Sequence, residues 1–175
     1  VIALKVLSKA NIHVSTIVGV YMPYFDKSNF DQTHEYIEAL DAIQIVIDTY
    51  GPVGPIKFEG DWNAQLPMRN EIRPNWYKAK GFNAHSKILY DFVTSNELDC
   101  QDMLFNQNPN YTHFQYANNI YTWIDHVFTT KHPCMSVEYC QIIDHEMDNV
   151  SDHLPVFTSF SVSYTHLTLP TIREV

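Results

Sequence analysis

The chain is 175 residues and 20.4 kDa, long enough to bury the core of one domain and too short for two full enzymes. With 45% hydrophobic, 14% aromatic and 18% charged residues, and only five Gly and nine Pro, its composition excludes disorder, collagen and coiled coil. Eleven Lys and Arg against twenty Asp and Glu give a net charge of −9, which repels phosphate polyanions and anionic membranes unless cations intervene. The uncharged stretch between Lys9 and Asp26 carries Asn11, His13, Ser15, Thr16 and Pro23, too polar and too short for the roughly 20 apolar residues of a membrane span. Three cysteines, Cys100, Cys134 and Cys140, form no CxxC pair, which argues against a disulfide framework and for a reducing, intracellular setting. The sequons at Asn110 and Asn149 are read as chance matches.

Taken in chain order, residues 1–7 (VIALKVL) alternate like the interior of a strand with no turn chemistry before it, so a longer domain is expected upstream. Residues 12–21 (IHVSTIVGVY) are β-branched and uncharged, the pattern of a strand buried on both faces, with Pro23 as a stop. Tyr36, Leu40, Ile43, Ile47 and Tyr50 recur at helical spacing and end at Gly51-Pro52, which predicts an amphipathic helix. Residues 55–60 predict a short strand with Ile56 and Phe58 on one face, and residues 67–84 a polar loop. Ser86 is the expected cap of a helix presenting Ile88, Leu89, Phe92 and Val93. Strands are expected at 111–114, 120–129, 137–143 and 154–160, separated by Asn, Pro and Asp turns. Residues 162–175 contain VSYTHLTLPT, which resembles a translated sequencing adapter, so the domain is taken as 1–161 and the tail as non-native. Helices early and strands alone later point to an α/β or α+β sandwich with mixed sheets.

Three places could carry chemistry. In Gly60-Asp61-Trp62-Asn63, extended backbone would project Asp61 and Asn63 together and send Trp62 into the opposite layer. Gly60 leaves room for close approach, and a strand's C-terminal edge is where α/β proteins place ligands; turn chemistry before Pro67 is the competing account. Asp125 would share a face with Tyr121, Trp123 and Val127. A carboxylate there is costly to bury without a cation, a metal or an imidazole N–H. Ser151-Asp152-His153-Leu154-Pro155 offers that imidazole in a turn entering a strand, and His153 is the natural partner of Asp125. A serine-hydrolase triad is excluded, since no GxSxG occurs.

In this order the pieces resemble the endonuclease/exonuclease/phosphatase superfamily, most closely the abasic-site-endonuclease-like domains of non-LTR retrotransposons. The resemblance rests on Tyr21-Met-Pro, Gly60-Asp-Trp-Asn, Tyr111-Thr, Ile124-Asp-His and Ser151-Asp-His-Leu-Pro, and covers residues 1–161. It implies a DNase I-like two-sheet α/β sandwich with mixed sheets flanked by helices, incomplete at its start. It also implies metal-dependent phosphodiester hydrolysis, with DNA as partner, nicking as the reaction, no membrane and a nuclear location. By the same resemblance Asp61 orients or deprotonates water, Asn63 helps hold the phosphate, and Tyr21 donates a hydrogen bond to it. His153 contacts a non-bridging oxygen, with Asp125 fixing its tautomer, Asp152 lies on the metal side, and Asn83 is a further phosphate contact. The implied cofactor is Mg2+, with Mn2+ as its substitute. The family's metal-binding Glu would precede residue 1, so little turnover is expected of this chain alone. His126 stands where relatives commonly have Tyr. Inositol-phosphate or sphingomyelin phosphodiesterases of the same superfamily, and a non-catalytic remnant, are the alternatives. A zinc module built on His132, Cys134, Cys140 and His145 fits no finger spacing, and a strand separates its ligands.

Overall fold

The computed structural model of the protein describes residues 1–8, 13–26, 31–68, 82–106, 111–144 and 149–162. The first apolar runs pair as an antiparallel hairpin, β1 (Ile2–Leu7) against β2 (His13–Tyr21). β2 then runs parallel to β3 (Ile56–Asp61), and a parallel pair needs a crossover, supplied by helix α1 (Asp31–Tyr50). Next to β3 lies the antiparallel β7 (Asp125–Thr129), which carries the two-residue β4 (Asp99–Cys100) on its far side. The result is a five-stranded mixed sheet of order β1-β2-β3-β7-β4.

Alternation along these strands sorts two faces. Val18 and Val20 of β2, Ile56 and Phe58 of β3, and Phe128 of β7 meet Tyr36, Leu40 and Ile43 of α1 and Leu89 and Val93 of helix α2 (Ala84–Ser95) in the main core. On the opposite face the long antiparallel hairpin of β8 (Met135–Ile142) and β9 (Val156–Val162) forms the second layer. There Lys57, 6% exposed, reaches Glu59 at 2.6 Å and lies over the Phe160 ring. A smaller cluster of Met68, Trp123 and Ile142 closes the end of that layer. The short helix α3 (Gln101–Phe105) follows β4 directly, and β5 (His113–Gln115) and β6 (Ile120–Thr122) make a separate small hairpin. This is the expected α/β sandwich, except that among the described residues the second layer is an antiparallel pair rather than a mixed sheet.

Several local expectations are corrected. β2 is buried on both faces only over Val14, Ser15 and Thr16; beyond them Gly19 and Tyr21 are exposed, because the hairpin layer does not cover that end. The run 120–129 is two strands, broken at Trp123 and Ile124, where the Thr112 hydroxyl accepts the Ile124 and Asp125 N–H groups at 3.0 Å each. Asn83, not Ser86, caps α2: its side chain accepts the Ser86 N–H at 3.0 Å. Ser86 sits within the first turn, and its hydroxyl accepts the Gln65 N–H. Helix α1 begins five residues before Tyr36. Ile12, most of the 67–84 loop and the tail beyond Val162 lie outside the described residues. No helix among the described residues is long and apolar enough to cross a membrane.

Gly60 and His85 each generate a stability prediction. Gly60 has φ +144°, and a Cβ there would sit 1.9 Å from the Val20 carbonyl oxygen, so what approaches closely is the backbone of β2. Gly60→Ala is expected to destabilise by at least ~2 kcal/mol in denaturant titration, since strain and steric overlap add. His85 is fully buried, stacked on Tyr36 at 4.1 Å and edge-on to Phe25 at 5.1 Å. Among the described residues neither of its ring nitrogens makes a well-aligned hydrogen bond, although the Pro23 carbonyl offers some support, and burial pushes its pKa down. A histidine whose folded pKa is depressed takes up protons first in the unfolded chain. Stability is therefore expected to fall as pH drops below about 6.5, and His85→Phe to flatten that loss in thermal melts across pH.

Candidate active site

Trp62 fixes the geometry at the end of β3. Its side chain is fully buried and edge-on to Phe128 at 4.8 Å, with the indole N–H donating to the His126 carbonyl at 3.1 Å. Its backbone N–H donates to the Ile124 carbonyl, and its own carbonyl accepts the Tyr36 hydroxyl at 2.9 Å. Burial pushes the Tyr36 pKa far up, so the phenol stays a donor. With Trp62 turned inward, its neighbours Asp61 and Asn63 face outward, as alternation requires. Asn63 is not extended, however: at φ 48° it is left-handed, a conformation Asn tolerates. The bend closes a tight loop in which the Asn63 N–H donates to Asp61 Oδ1 at 2.8 Å. The Asn63 amide donates to Asp61 Oδ2 at 3.1 Å and to the Met22 carbonyl at 2.8 Å.

Strand register brings the next groups in. Tyr21 pairs with Asp61, and Asp61 with Asp125, so the three stand in a row across β2, β3 and β7. Tyr21 is 76% exposed, its ring free to meet a ligand. Asp125 is largely buried and bonds His153 Nδ1 at 3.0 and 3.2 Å, the partner its burial calls for. Burial pushes the Asp61 carboxyl above the usual carboxylate range. The Asn63 N–H pulls it down, the Asp125 charge pushes it up, and His153 and His126 pull it down. Asp61, Asn63, Asp125 and His153 thus meet at one corner, with Tyr21 beside them.

Thr112 and His113 belong to this corner and were not among the residues singled out from sequence. Thr112 is fully buried. Its hydroxyl holds the break before Asp125, and its carbonyl accepts the Leu154 N–H at 2.7 Å, tying the two halves of the Asp125–His153 pair to one residue. The Tyr111-Thr motif was the signal. His113 packs against His153 with the rings tilted by 47° and their centres 4.7 Å apart, and its Nδ1 meets the Thr122 hydroxyl at 2.9 Å. Burial and the His153 charge lower its pKa, against the pull of Asp152 and Asp125. Nothing in the sequence marked it beyond its place after Thr112.

Two expected residues stand further out. Asp152 is half exposed, and its carboxylate lies 3.7 Å from His113 Nε2. Asn83 spends its carbonyl on capping α2 and lines an open cavity of about 390 Å³ with Asn63, Gln65 and His113. The carboxylate oxygens here suit a hard dication, and the His153 and His113 imidazoles stand beside them. No three of the described His, Cys, Asp and Glu side chains at this corner converge on one point. Mg2+ commonly uses one or two carboxylates, water and substrate phosphate, and the half-exposed Asp152 carboxylate offers such an oxygen. His132 and Cys134 are adjacent through a Cys134 N–H bond to the ring, while Cys140 is buried on β8 beside Thr158. His145 lies outside the described residues, and no zinc cluster forms from the remaining three.

No protein-family model matches the chain, and neither does any curated protein sequence. Solved structures do match in fold. The 3′ phosphatase NExo from Neisseria, bound to product DNA hairpin, aligns with a TM-score of 0.65 at 15% identity, over 85% of this chain and 62% of that one. The Xenopus laevis APE2 catalytic domain aligns at 0.64 and 16%, over 94% and 56%. The endonuclease/exonuclease/phosphatase from Bacteroides vulgatus aligns at 0.56 and 19%, over 92% and 54%. The chain therefore spans somewhat more than half the length of each. Its architecture is the DNase I-like α/β fold of these neighbours.

Proposed function

We propose that this corner hydrolyses phosphodiesters, with DNA as the substrate and single-strand nicking, of the retrotransposon kind, as the reaction. The observation that carries the reading is the juxtaposition of Asp61, held by Asn63, with the Asp125–His153 pair. Asp61, its proton affinity raised by burial, is the base that orients and deprotonates the attacking water. Both Asn63 amide protons are already engaged, one by Met22 and one by Asp61. Asn63 therefore positions the base first, and reaches a phosphate oxygen only by exchanging its Asp61 bond. Asp125 binds His153 at Nδ1, which turns Nε2 outward as the donor to a non-bridging oxygen. Tyr21 supplies a phenol donor from the neighbouring strand. A bound Mg2+, held on the Asp152 side of the site, would neutralise phosphate charge and stabilise the leaving oxygen. The product DNA hairpin on the Neisseria neighbour supports a nucleic-acid substrate.

The test is relaxation of supercoiled plasmid at excess protein with Mg2+. Chelation is expected to abolish nicking, and Asp61→Ala and His153→Ala each to slow it by roughly 10²–10⁴-fold relative to the unsubstituted chain; equal rates in both variants would discard the assignment. Because the base must be ionised, the acid limb of the pH–rate profile is expected at higher pH than an exposed aspartate would give. A limb in the ordinary aspartate range would remove Asp61 from the role of base.

A further inference from the structure

One residue along β7 from Asp125 begins a second cluster that the hydrolytic reading does not use. Cys100 ends β4, Asp102 is the second residue of α3 and His126 is the second residue of β7. Their ligand atoms all lie within 4.8 Å of one another. Asp102 Oδ2 is 2.8 Å from His126 Nδ1, and Cys100 Sγ is 3.3 Å from Asp102 Oδ1 and 3.9 Å from His126 Nδ1. Asp102 is fully buried and His126 is 1% exposed.

We propose that Cys100 Sγ, Asp102 and His126 Nδ1 form a binding site for a thiophilic divalent cation, Zn2+ by preference. Two of the three ligands, His126 and Asp102, are already held in place by groups that an ion would leave untouched. His126 Nε2–H donates to the Ala64 carbonyl at 3.1 Å, which leaves Nδ1 as the coordinating nitrogen. Asp102 accepts the Val127 N–H on one oxygen at 2.7 Å and the Trp123 indole N–H on the other at 2.8 Å, so its orientation is fixed. One soft thiolate, one imidazole and one carboxylate make a donor set that suits zinc rather than magnesium.

The charge balance permits the exchange in a buried place. Without an ion the cluster holds two protons aimed at the carboxylate, one shared between Nδ1 and Oδ2 and one on Sγ. Burial, with the Asp102 charge, holds the thiol in its protonated form. Binding replaces those two protons with one dication: the S–H and Nδ1–H bonds break, Sγ–metal and Nδ1–metal bonds form, and both protons leave to solvent. Net charge is the same before and after, so no uncompensated charge is left in the core.

The test is Co2+ titration of the metal-free full chain, followed by absorption. A thiolate-to-cobalt charge-transfer band with intense visible bands, saturating at one ion per chain, is expected. It should disappear in Cys100→Ser and persist in Cys134→Ser, each checked for folding by circular dichroism. Calorimetry of Zn2+ binding in buffers of different ionisation enthalpy should give about two protons released per ion. That count is read on the unsubstituted chain and stands if Cys100→Ser does not fold. Absence of the band from folded chain, its persistence in Cys100→Ser, or release of fewer than about one proton would each overturn the site.

Discussion

Trp62 is the constraint on which the site depends. A residue between two polar neighbours can bury its side chain only by turning the neighbours outward, and Trp62 is held inward by four separate ties: Phe128, the His126 carbonyl, the Ile124 carbonyl and the Tyr36 hydroxyl. Asp61 and Asn63 therefore face out because the largest side chain in the core faces in. The Trp62 backbone bond to Ile124 also sets the register of β3 against β7, and with it the Asp61 to Asp125 pairing. Loss of the indole would cost a cavity in the core, and would also free the two polar residues to choose other partners.

The second half of the site is assembled by backbone rather than by side-chain packing. The chain between β6 and β7 leaves the sheet for two residues, which exposes the N–H groups of Ile124 and Asp125. Thr112 takes both with a single hydroxyl. A buried hydroxyl accepting two amides has its donors fixed in direction, so Asp125 emerges at one angle only. The same residue pairs with Leu154, and the His113 bridge to His153 continues that contact. Two segments some thirty residues apart in sequence are thereby held to one residue between them, and the carboxylate–imidazole distance follows from that.

What could be read from sequence divides along the same line. The helix from Tyr36 to Tyr50, the strand of Ile56 and Phe58 and the inward Trp62 were legible because each is a periodicity, and periodicity survives whatever the partner is. The Asp125 to His153 pair was legible because a half-buried carboxylate needs a donor and the Ser151–Pro155 turn offered one. Thr112 was visible only as part of a motif, since two amide acceptances depend on a chain break that alternation does not announce. The N-cap was misplaced by three residues because Asn83 and Ser86 are both good capping types, and only the Gln65 backbone decides between them by occupying Ser86. His113 and Cys100 carried no signal at all, because their significance is a neighbour from another element.

Asp102 shows how a buried charge can replace a strand. β4 pairs with β7 for only two residues before α3 begins, and beyond that point the β7 edge would present an unpaired Val127 N–H inside the protein. Orphaned buried donors are costly, on the order of 1–3 kcal/mol each. Asp102 Oδ1 accepts that N–H, while Oδ2 accepts from Trp123 and faces His126. A carboxylate with two oxygens can satisfy four donors, the Cys100 thiol among them, where a backbone carbonyl would meet one or two, which is why an acidic residue can sit fully buried here. Two of those donors flank Asp125 in sequence, so the β7 edge and the approach of Asp125 to the site are braced by one side chain. An asparagine in its place would turn one acceptor into a donor against Trp123 or Val127, and the brace would become a repulsion within two residues of Asp125.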